Sequence, residues 1–239
     1  MSAGAAPTPV LFLPGRMCDA RLWLSQMAAL GSERPAMVAP LAAVDTVRGM
    51  AEALLPALPE RVIPVGHGLG GAVAMEVLRF VPERIAGLVL VDADALAETP
   101  QTVTQRETRL VRVAGGRFAE VLEEETAPEL FPQSEIRRDI VALARAMGKR
   151  LGPDIWRRQA KAEQRRPDQQ ALLRKTSCPL LIVAGQENRL TPLRRAEVMA
   201  GLARQARLVG IEGAAHLSPL EASDAVTDAL RAWLARTGL

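Results

Sequence analysis

The sequence predicts an α/β protein built on a mostly parallel, doubly wound sheet of about six strands. Short apolar runs of strand length recur along the chain, and they do not alternate with polar residues. Such continuous runs are typical of strands buried on both faces of a parallel sheet. Helical patterns lie between the runs, and one long stretch, residues 96–175, contains helical patterns alone.

The strand and helix candidates follow one another in a regular order. The strand candidates are Pro9–Leu13, Ala36–Ala39, Val62–Val65, Ile85–Val91, Pro179–Ala184 and Arg207–Ile211. The helix candidates between and after them are Ala20–Leu30, Val47–Leu58, Gly71–Val81, Leu193–Arg204 and Ser223–Arg236. Because parallel strands need long crossover connections, this alternation favours βαβ units.

Residues 96–175 interrupt the alternation and predict an inserted helical segment. Its helical pieces are Thr102–Ala114, Arg117–Thr126, Ser134–Met147, Asp154–Arg166 and Asp168–Arg174, separated by turn-forming sequences. An insertion at the carboxyl edge of a parallel sheet is well placed to cap a pocket. We therefore divide the chain into a core, residues 1–95 and 176–239, and a helical lid, residues 96–175.

Composition and charge exclude several classes of function. The chain has 239 residues, 49% of them hydrophobic and 24% charged, and a net charge of only +3. The arginines are mixed with acidic residues, Tyr is absent, and no basic stripe carries aromatic residues, so a nucleic-acid partner is not expected. Neither a metal-ligand spacing nor a phosphate-binding GxxxxGK motif is present, and no cofactor is expected.

The remaining global features indicate a cytoplasmic protein. The first residues lack the charged and long apolar regions of a signal peptide, and we expect a short disordered lead of about eight residues. No apolar stretch in the sequence is long enough to span a bilayer. Cys18 and Cys178 are the two cysteines, and their wide separation favours a reducing compartment. The sequence does not indicate an oligomeric state.

Residues 65–71, VGHGLGG, follow the third strand candidate and precede a helix. A sharp strand-to-helix turn of the form G-x-S-x-G carries a nucleophilic serine at its centre, and here the centre is Gly68. Gly66 and Gly70 have the spacing that lets the helix approach the strand closely. The same segment could in principle cradle a phosphate, but it follows the third strand and not the first.

Three further loops contain candidate catalytic groups. LPGRMCDARLW, residues 13–23, predicts an oxyanion hole formed by the N–H groups of Arg16 and Leu69, or else an ordinary loop capped by Asp19. AGQENRLTP and EGAAHLSPLEASD each follow a late strand. His216 lies among small residues in the second of these, which favours a general base, whereas His67 is expected to be structural or pocket-lining.

Taken together, LPGRMCDARLW, VGHGLGGAVAMEV, GLVLVDA, AGQENRLTP and GAAHLSP resemble the α/β-hydrolase fold superfamily, specifically its compact bacterial esterase-like members. The resemblance covers essentially the whole chain. It implies that the nucleophile, acid and histidine of a catalytic triad fall at Gly68, Asn188 and His216. Gly68 has no side chain with which to form an acyl-enzyme. Asn188 carries no charge, although its amide could accept a hydrogen bond from the imidazole.

Substitutes for the missing groups are few. Some relatives place the acid after the fourth strand, so Asp92 or Asp94 is an alternative acid. Cys18 lies in the oxyanion loop but has no neighbour that favours its thiolate. The aliphatic lid suggests a small apolar acyl or cyclic ligand, and we hypothesise that Arg16 attracts a ligand carboxylate.

Three interpretations of function stay open at this point. The chain is an inactivated form, engineered or trapped, of a hydrolase of small carboxylic esters, thioesters or lactones. Alternatively, it is a natural non-hydrolytic enzyme in which His216 acts as general acid-base beside the oxyanion hole. The third interpretation is a pseudoenzyme that binds a ligand or a partner.

Overall fold

The computed structural model of the chain describes residues 6–239 and has an α/β architecture. Its strands are β1 (Val10–Leu13), β2 (Ala36–Val38), β3 (Ile63–His67), β4 (Leu88–Val91), β5 (Leu180–Gly185) and β6 (Ala206–Ile211). They form one sheet in the order β2-β1-β3-β4-β5-β6, and every pair is parallel. The predicted parallel sheet is confirmed. The predicted lead falls largely on residues 1–5, which lie outside the described residues.

Ten α-helices connect and flank the strands. They are α1 (Leu24–Leu30), α2 (Val47–Leu54), α3 (Leu69–Phe80), α4 (Pro100–Ala114), α5 (Phe118–Glu125), α6 (Arg137–Gln164), α7 (Gln170–Lys175), α8 (Leu193–Leu202), α9 (Ser218–Glu221) and α10 (Ser223–Thr237). Short 3₁₀ turns cover Ala20–Trp23, Leu55–Ala57, Pro82–Arg84 and Pro128–Leu130. The count of ten refers to the described residues, 6–239.

The sheet is buried on both faces, as its continuous apolar strands require. All residues of β1, β3, β4 and β5 are buried. One apolar cluster packs α2, α3 and α8 on one face, and a second packs α1 and α10 on the other. This arrangement of helices on both sides of a parallel sheet is the doubly wound fold predicted from the sequence.

Several element ends differ from the predicted ones, for local reasons. The predicted helix 47–58 ends at Leu54, because Pro56 lacks an N–H and the chain continues as a 3₁₀ turn. The predicted strand 85–91 is shorter and begins at Leu88. The predicted helix 20–30 begins as a 3₁₀ turn that the side chain of Asp19 caps through Arg21 N.

Residues 96–175 connect β4 to β5, and the structure places α4–α7 in this segment. Within α6, Gly152 has φ 79° and precedes Pro153, so the helix is kinked where the sequence LGP predicts a turn. Val113, Val121 and Trp156 of the inserted helices pack with Met17, which follows β1. The inserted helices therefore lie against the carboxyl edge of the sheet, and their role as a lid stays a prediction.

The turn between β3 and α3 depends on glycines that allow backbone segments to approach closely. A Cβ at Gly66 would lie 2.3 Å from Gly70 O, and a Cβ at Gly70 would lie 2.1 Å from Leu13 O. Both distances are far inside van der Waals contact, and the obstructing atoms belong to the backbone. The glycines at these two positions thus bring β1, β3 and the start of α3 into direct contact.

We predict that Gly70→Ala lowers the free energy of unfolding by at least about 3 kcal/mol, because β1 and α3 must separate to admit the methyl group. Urea unfolding followed by far-ultraviolet circular dichroism measures this loss.

Gly201→Ala is the matched control. Gly201 lies in α8, and a Cβ there would meet nothing within 4 Å. That change should alter the free energy of unfolding by about 1 kcal/mol or less, in the stabilising direction. Equal stabilities for the two variants would contradict the packing argument.

Candidate active site

The centre of the candidate site is Gly68, the single residue between β3 and α3. Its backbone has φ 50° and ψ −115°, a conformation that side chains rarely adopt. Its N–H donates to Val91 O at 3.1 Å, and its carbonyl accepts from Gly71 N and Ala72 N. The turn is therefore held in an elbow shape by neighbouring backbone, although it carries no side chain.

His216 lies directly beside this elbow. A Cβ built on Gly68 would be 3.5 Å from His216 Nε2 and 3.9 Å from Gly15 Cα. Both are ordinary contact distances, so the space for a small side chain is present and unfilled by protein. The structure thus brings Gly68 and His216 together, as the triad positions carried over from the family require.

Asn188, in the loop between β5 and α8, completes the group. Its Nδ2 lies 3.3 Å from His216 Nδ1. The amide orientation is set by its other atom, since Oδ1 accepts from Leu190 N and Thr191 N, both at 3.0 Å. The nitrogen side faces acceptors, with Asp92 Oδ1 at 3.2 Å and Thr191 Oγ1 at 2.6 Å.

This orientation differs from the expected one, in which the amide accepts from the imidazole. Thr191 Oγ1 and Asp92 Oδ1 are nearer to Nδ2 than Nδ1 of His216 is, and these two acceptors account for both amide hydrogens. Asn188 therefore turns a nitrogen towards the ring and offers no acceptor for a proton on Nδ1. An aspartate at this position would accept from Nδ1–H and so hold the ring proton on that atom.

Asp92 is a buried carboxylate at the end of β4. Its Oδ1 accepts from Gly185 N at 2.9 Å and from Asn188 Nδ2, and its Oδ2 accepts from Ser218 N at 3.3 Å and Ser218 Oγ at 2.5 Å. Burial raises the pKa of Asp92 to about 7, against these hydrogen bonds, which favour the ionised form. Its backbone has φ 48°, and within residues 6–239 no hydrogen bond or ion pair joins the carboxylate to His216.

Asp94, the second candidate for the acid, serves a different purpose. It forms ion pairs with Arg195 and with Arg166, the latter at 3.8 Å, and its Oδ1 accepts from Leu96 N at 3.0 Å. It anchors the start of the inserted segment and makes no hydrogen bond with the imidazole of His216 in the described chain. The structure brings neither carboxylate, Asp92 or Asp94, to the ring.

Both histidines of the chain lie in this region. His67 Nε2 donates to His216 O at 2.6 Å, and the two rings are 4.9 Å apart. A Cβ at Gly15 would lie 2.2 Å from His67 Nδ1, so the ring is pressed against the loop after β1. His67 thus holds the His216 loop through this hydrogen bond and also lines the cavity. Both features agree with the structural or pocket-lining role expected for it.

Both imidazoles are neutral because of their surroundings. Burial lowers the pKa of His216 to about 3, and the neighbouring His67 and Arg16 act in the same direction. Burial also lowers the pKa of His67 to about 4. The Cys18 thiol is equally unreactive, since burial raises its pKa to about 12.

Of the predicted oxyanion donors, Leu69 follows Gly68 in the chain, and Arg16 follows Gly15, whose Cα lies 3.9 Å from a Cβ built on Gly68. Their role as an oxyanion hole stays a prediction. Within residues 6–239 neither N–H donates to a protein acceptor. The next N–H, of Met17, donates to Gln159 Oε1 of α6 at 2.8 Å, and Gln159 Nε2 donates to Leu41 O. This buried glutamine holds Met17 at φ 56° and so shapes the loop.

The side chain of Arg16 is already paired. It contacts Glu125 Oε2 at 2.6 Å and Glu163 Oε2 at 2.9 Å, and Trp156 Nε1 donates to the same Glu125 oxygen at 2.8 Å. Arg106 forms further ion pairs with Glu163, at 2.9 Å, and with Glu98. The expectation that Arg16 attracts a ligand carboxylate is therefore not supported, because its charge is matched within the protein.

A cavity of about 400 Å³ lies above these groups, between the sheet edge and the inserted helices. Its wall includes Gly68 and His216, apolar residues such as Leu122 and Phe131, and many charged side chains. The charged members are Arg16, Arg106, Arg109, Arg166, Arg189 and Arg195 together with Asp92, Asp94, Glu98, Glu125, Glu163 and Glu221. The wall is more charged than an aliphatic lid implies, and the predicted apolar ligand stays a prediction.

The sequence motifs did not predict several of the contacts that shape the site. Ser218 and Thr191 orient the Asp92–Asn188 group, and Gln159 and Glu163 hold the loop after β1. Only Ser218 had a signal, its position two residues after His216, and the sequence suggested a loop or capping role for it. In the described part of the chain no group of three or more His, Cys, Asp or Glu side chains could hold a metal ion. No helix there is long and apolar enough to cross a membrane.

Comparison with known proteins finds matches over most of the chain. A model of the alpha/beta hydrolase family matches residues 10–229. The chain is 27% identical over 222 residues to the biotin biosynthesis bifunctional protein BioHC of Cellvibrio japonicus, covering 87% of this chain and 44% of that protein. It therefore spans less than half the length of that bifunctional relative.

Two other similarities extend over nearly the full length of both chains. The chain is 28% identical over 234 residues to a putative carbamate hydrolase RutD of Pseudomonas savastanoi, covering 89% of this chain and 88% of that one. Among solved structures, a thermophilic esterase from Thermogutta terrifontis superposes with a TM-score of 0.87 at 27% identity. That match covers 97% of this chain and 91% of the esterase.

We predict that neither histidine gains a proton between about pH 8 and about pH 5.5, because burial places both pKa values well below the ordinary value of 6.5. Imidazole signals in a nuclear magnetic resonance titration check this directly, as the chain has two histidines only. The urea-unfolded chain is the control and should titrate near the ordinary value. A midpoint above about pH 6 for either ring in the folded protein would contradict the argument.

We predict that Asp92→Asn lowers the free energy of unfolding by about 2–4 kcal/mol at a pH above 7, where the carboxylate is ionised. Each carboxylate oxygen of Asp92 accepts hydrogen bonds from N–H or O–H groups. The amide nitrogen of an asparagine cannot accept these bonds, so the donors on that side would lose their partner. Chemical denaturation measures the loss, and Asp228→Asn on the exposed face of α10 should change stability by no more than about 0.5 kcal/mol. A stability loss no larger than the control's would refute the role of Asp92.

Proposed function

Because this chain belongs to the alpha/beta hydrolase family, we propose that it is a scaffold for hydrolysis of a small carboxylic ester, thioester or lactone in which the covalent reaction is disabled. The reaction is interrupted at two positions, Gly68 and Asn188. The cavity and His216 are retained beside them, and the N–H groups of Arg16 and Leu69 are the oxyanion donors of this proposal.

One observation carries this proposal: Gly68 keeps the elbow conformation and leaves room for a side chain. A serine there would place its Cβ 3.5 Å from His216 Nε2, within reach for a hydrogen bond from Oγ. A glycine turn without a catalytic ancestry has no need of a histidine and a cavity arranged around it. The names of the relatives, an esterase and a putative carbamate hydrolase, support acyl-transfer chemistry.

Asn188 disables the reaction independently of Gly68. A general base accepts the proton of the nucleophile at Nε2 only if its own ring proton is held on Nδ1, and Asn188 turns a nitrogen, not an acceptor oxygen, towards Nδ1. Replacing the acid of a serine protease triad by asparagine costs roughly 10⁴ in rate for this reason. We therefore expect that restoring a serine alone leaves a poor enzyme.

The alternative of a non-hydrolytic general acid-base enzyme is less well supported. A neutral imidazole whose pKa is lowered to about 3 is a weak base and does not take up a proton readily near neutral pH.

The test is a matched set of four proteins assayed with short p-nitrophenyl esters. The set comprises the chain itself, Gly68→Ser, Asn188→Asp and the double variant. We expect turnover above buffer only in the two proteins with serine, and the double variant should exceed Gly68→Ser by on the order of 10² or more.

Two controls make the assay decisive. Unfolding curves must show that serine at a positive φ costs no more than about 1–2 kcal/mol, and His216→Ala in the double variant must abolish the gained activity. Turnover by the original chain equal to that of the double variant, or an inactive folded double variant, would overturn the proposal.

A further inference from the structure

A groove of about 660 Å³ lies at the amino edge of the sheet, opposite to the edge that carries the candidate active site. Pro179 and Gln205 in its wall directly precede β5 and β6, whereas the candidate active site is built from residues that follow strands. β5 has six residues, so the two edges are roughly 20 Å apart. The groove shares no lining residue with the cavity at Gly68.

The wall of the groove contains a hydrogen-bond donor without a partner, the indole N–H of Trp233 in α10. Trp233 is only 2% exposed, and its Nε1 has no acceptor within residues 6–239. Unlike Nε1 of Trp23, this atom is not sealed inside the protein, and unlike Nε1 of Trp156 it does not donate to a carboxylate. Because the ring lines the groove and is otherwise buried, its N–H is offered to a ligand acceptor there.

Two arginine side chains give the groove a positive charge that the protein does not neutralise. Arg207 of β6 and Arg236 in the last turn of α10 both line it and are exposed. Neither forms an ion pair or a side-chain hydrogen bond within residues 6–239, and no acidic residue of that range lines the groove. Arg16 and Arg106, in the cavity at Gly68, each contact two carboxylates. The charge of the groove is therefore free to meet an anion.

The number of donors indicates which anion fits. Two guanidinium forks, the indole N–H and the amide of Gln205 offer about six hydrogens, whereas the two oxygens of a carboxylate accept about four hydrogen bonds. A phosphate monoester has three terminal oxygens and a charge between about −1.5 and −2 at neutral pH, which matches two arginines. Pro179 and the Trp233 ring add apolar surface for an organic group.

We propose that this groove binds the phosphate group of a small phosphate monoester. The terminal oxygens accept from Arg207, Arg236 and Nε1 of Trp233, and the organic group lies against Pro179. A bound phosphate bridges β6 and α10, because one arginine belongs to each of these elements. The site goes beyond the proposed function, since none of its residues lines the cavity at Gly68.

The first experiment follows the indole N–H signals of the full chain, which has three tryptophans, while phenyl phosphate is added at constant pH and ionic strength. We expect the Trp233 signal to shift and to saturate. The signals of Trp23 and Trp156 are internal controls and should stay in place, since the first is sealed in the protein and the second donates to Glu125. Trp233→Phe identifies the shifting signal by its loss.

Calorimetric titration with phenyl phosphate then measures the contribution of each charge. Arg207→Gln and Arg236→Gln should each weaken binding by at least about fivefold, because each removes one charged fork of donors. Arg61→Gln is the matched control, since Arg61 is exposed, lies just before β3 at the same edge of the sheet and has no ion pair in residues 6–239. It should weaken binding by less than about twofold. Thermal unfolding shows that each variant is folded before its binding is compared.

Two further ligands test the chemical class. Benzoate keeps the ring but carries a carboxylate, and inorganic phosphate lacks the ring; each should bind at least about threefold more weakly than phenyl phosphate. Equal binding of benzoate would overturn the assignment to phosphate, and equal binding of inorganic phosphate would overturn the role of the organic group.

The location of the site is tested separately from its chemistry. A shift of the Trp156 signal in place of the Trp233 signal would put the ligand in the cavity at Gly68 and overturn the groove as its site. Equal losses of affinity in Arg207→Gln and Arg61→Gln would do the same. None of these measurements depends on turnover of esters, so the groove and the proposed function stand or fall independently.

Discussion

The hydrogen bonds of the Asp92 carboxylate hold together the loops from which the site is built. This residue ends β4, and its oxygens accept from Gly185 and Asn188 after β5 and from Ser218 after β6. Three strand ends are thereby joined through one buried side chain. The amide of Asn188 is held from two sides, since its nitrogen donates to this carboxylate while its Oδ1 accepts from Leu190 N and Thr191 N. A group outside the triad positions thus helps to hold Asn188 beside His216.

A second set of buried charges joins the loop after β1 to the inserted helices. Glu98, Arg106, Glu163, Arg16 and Glu125 alternate in sign, and each arginine contacts two carboxylates. Removing any one member would leave its partners charged and without a counterion in a poorly solvated region, which is costly. The network therefore anchors the loop after β1 at Arg16, and it matches the charge that the guanidinium could otherwise offer to a ligand.

Much of the fold could be predicted from the sequence, since continuous apolar strands and amphipathic helices are local patterns. The kink of α6 is visible as LGP, and the glycine spacing in residues 65–71 indicates the elbow. The order of five motifs placed Gly68, Asn188 and His216 on three loops that the fold brings together. The direction of the Asn188 amide and the pairing of Arg16 could not be foreseen, because they depend on contacts such as Arg16–Glu125 between residues far apart in the chain.

The contact between Gly15 and His67 has a consequence for how this chain can change over evolutionary time. The ring occupies the volume that a side chain at position 15 would need, since a Cβ there would overlap Nδ1. A mutation that enlarges residue 15 would therefore displace the imidazole and strain its hydrogen bond to His216 O. Substitutions at the two positions are coupled, because a smaller residue 67 would leave room for a side chain at residue 15.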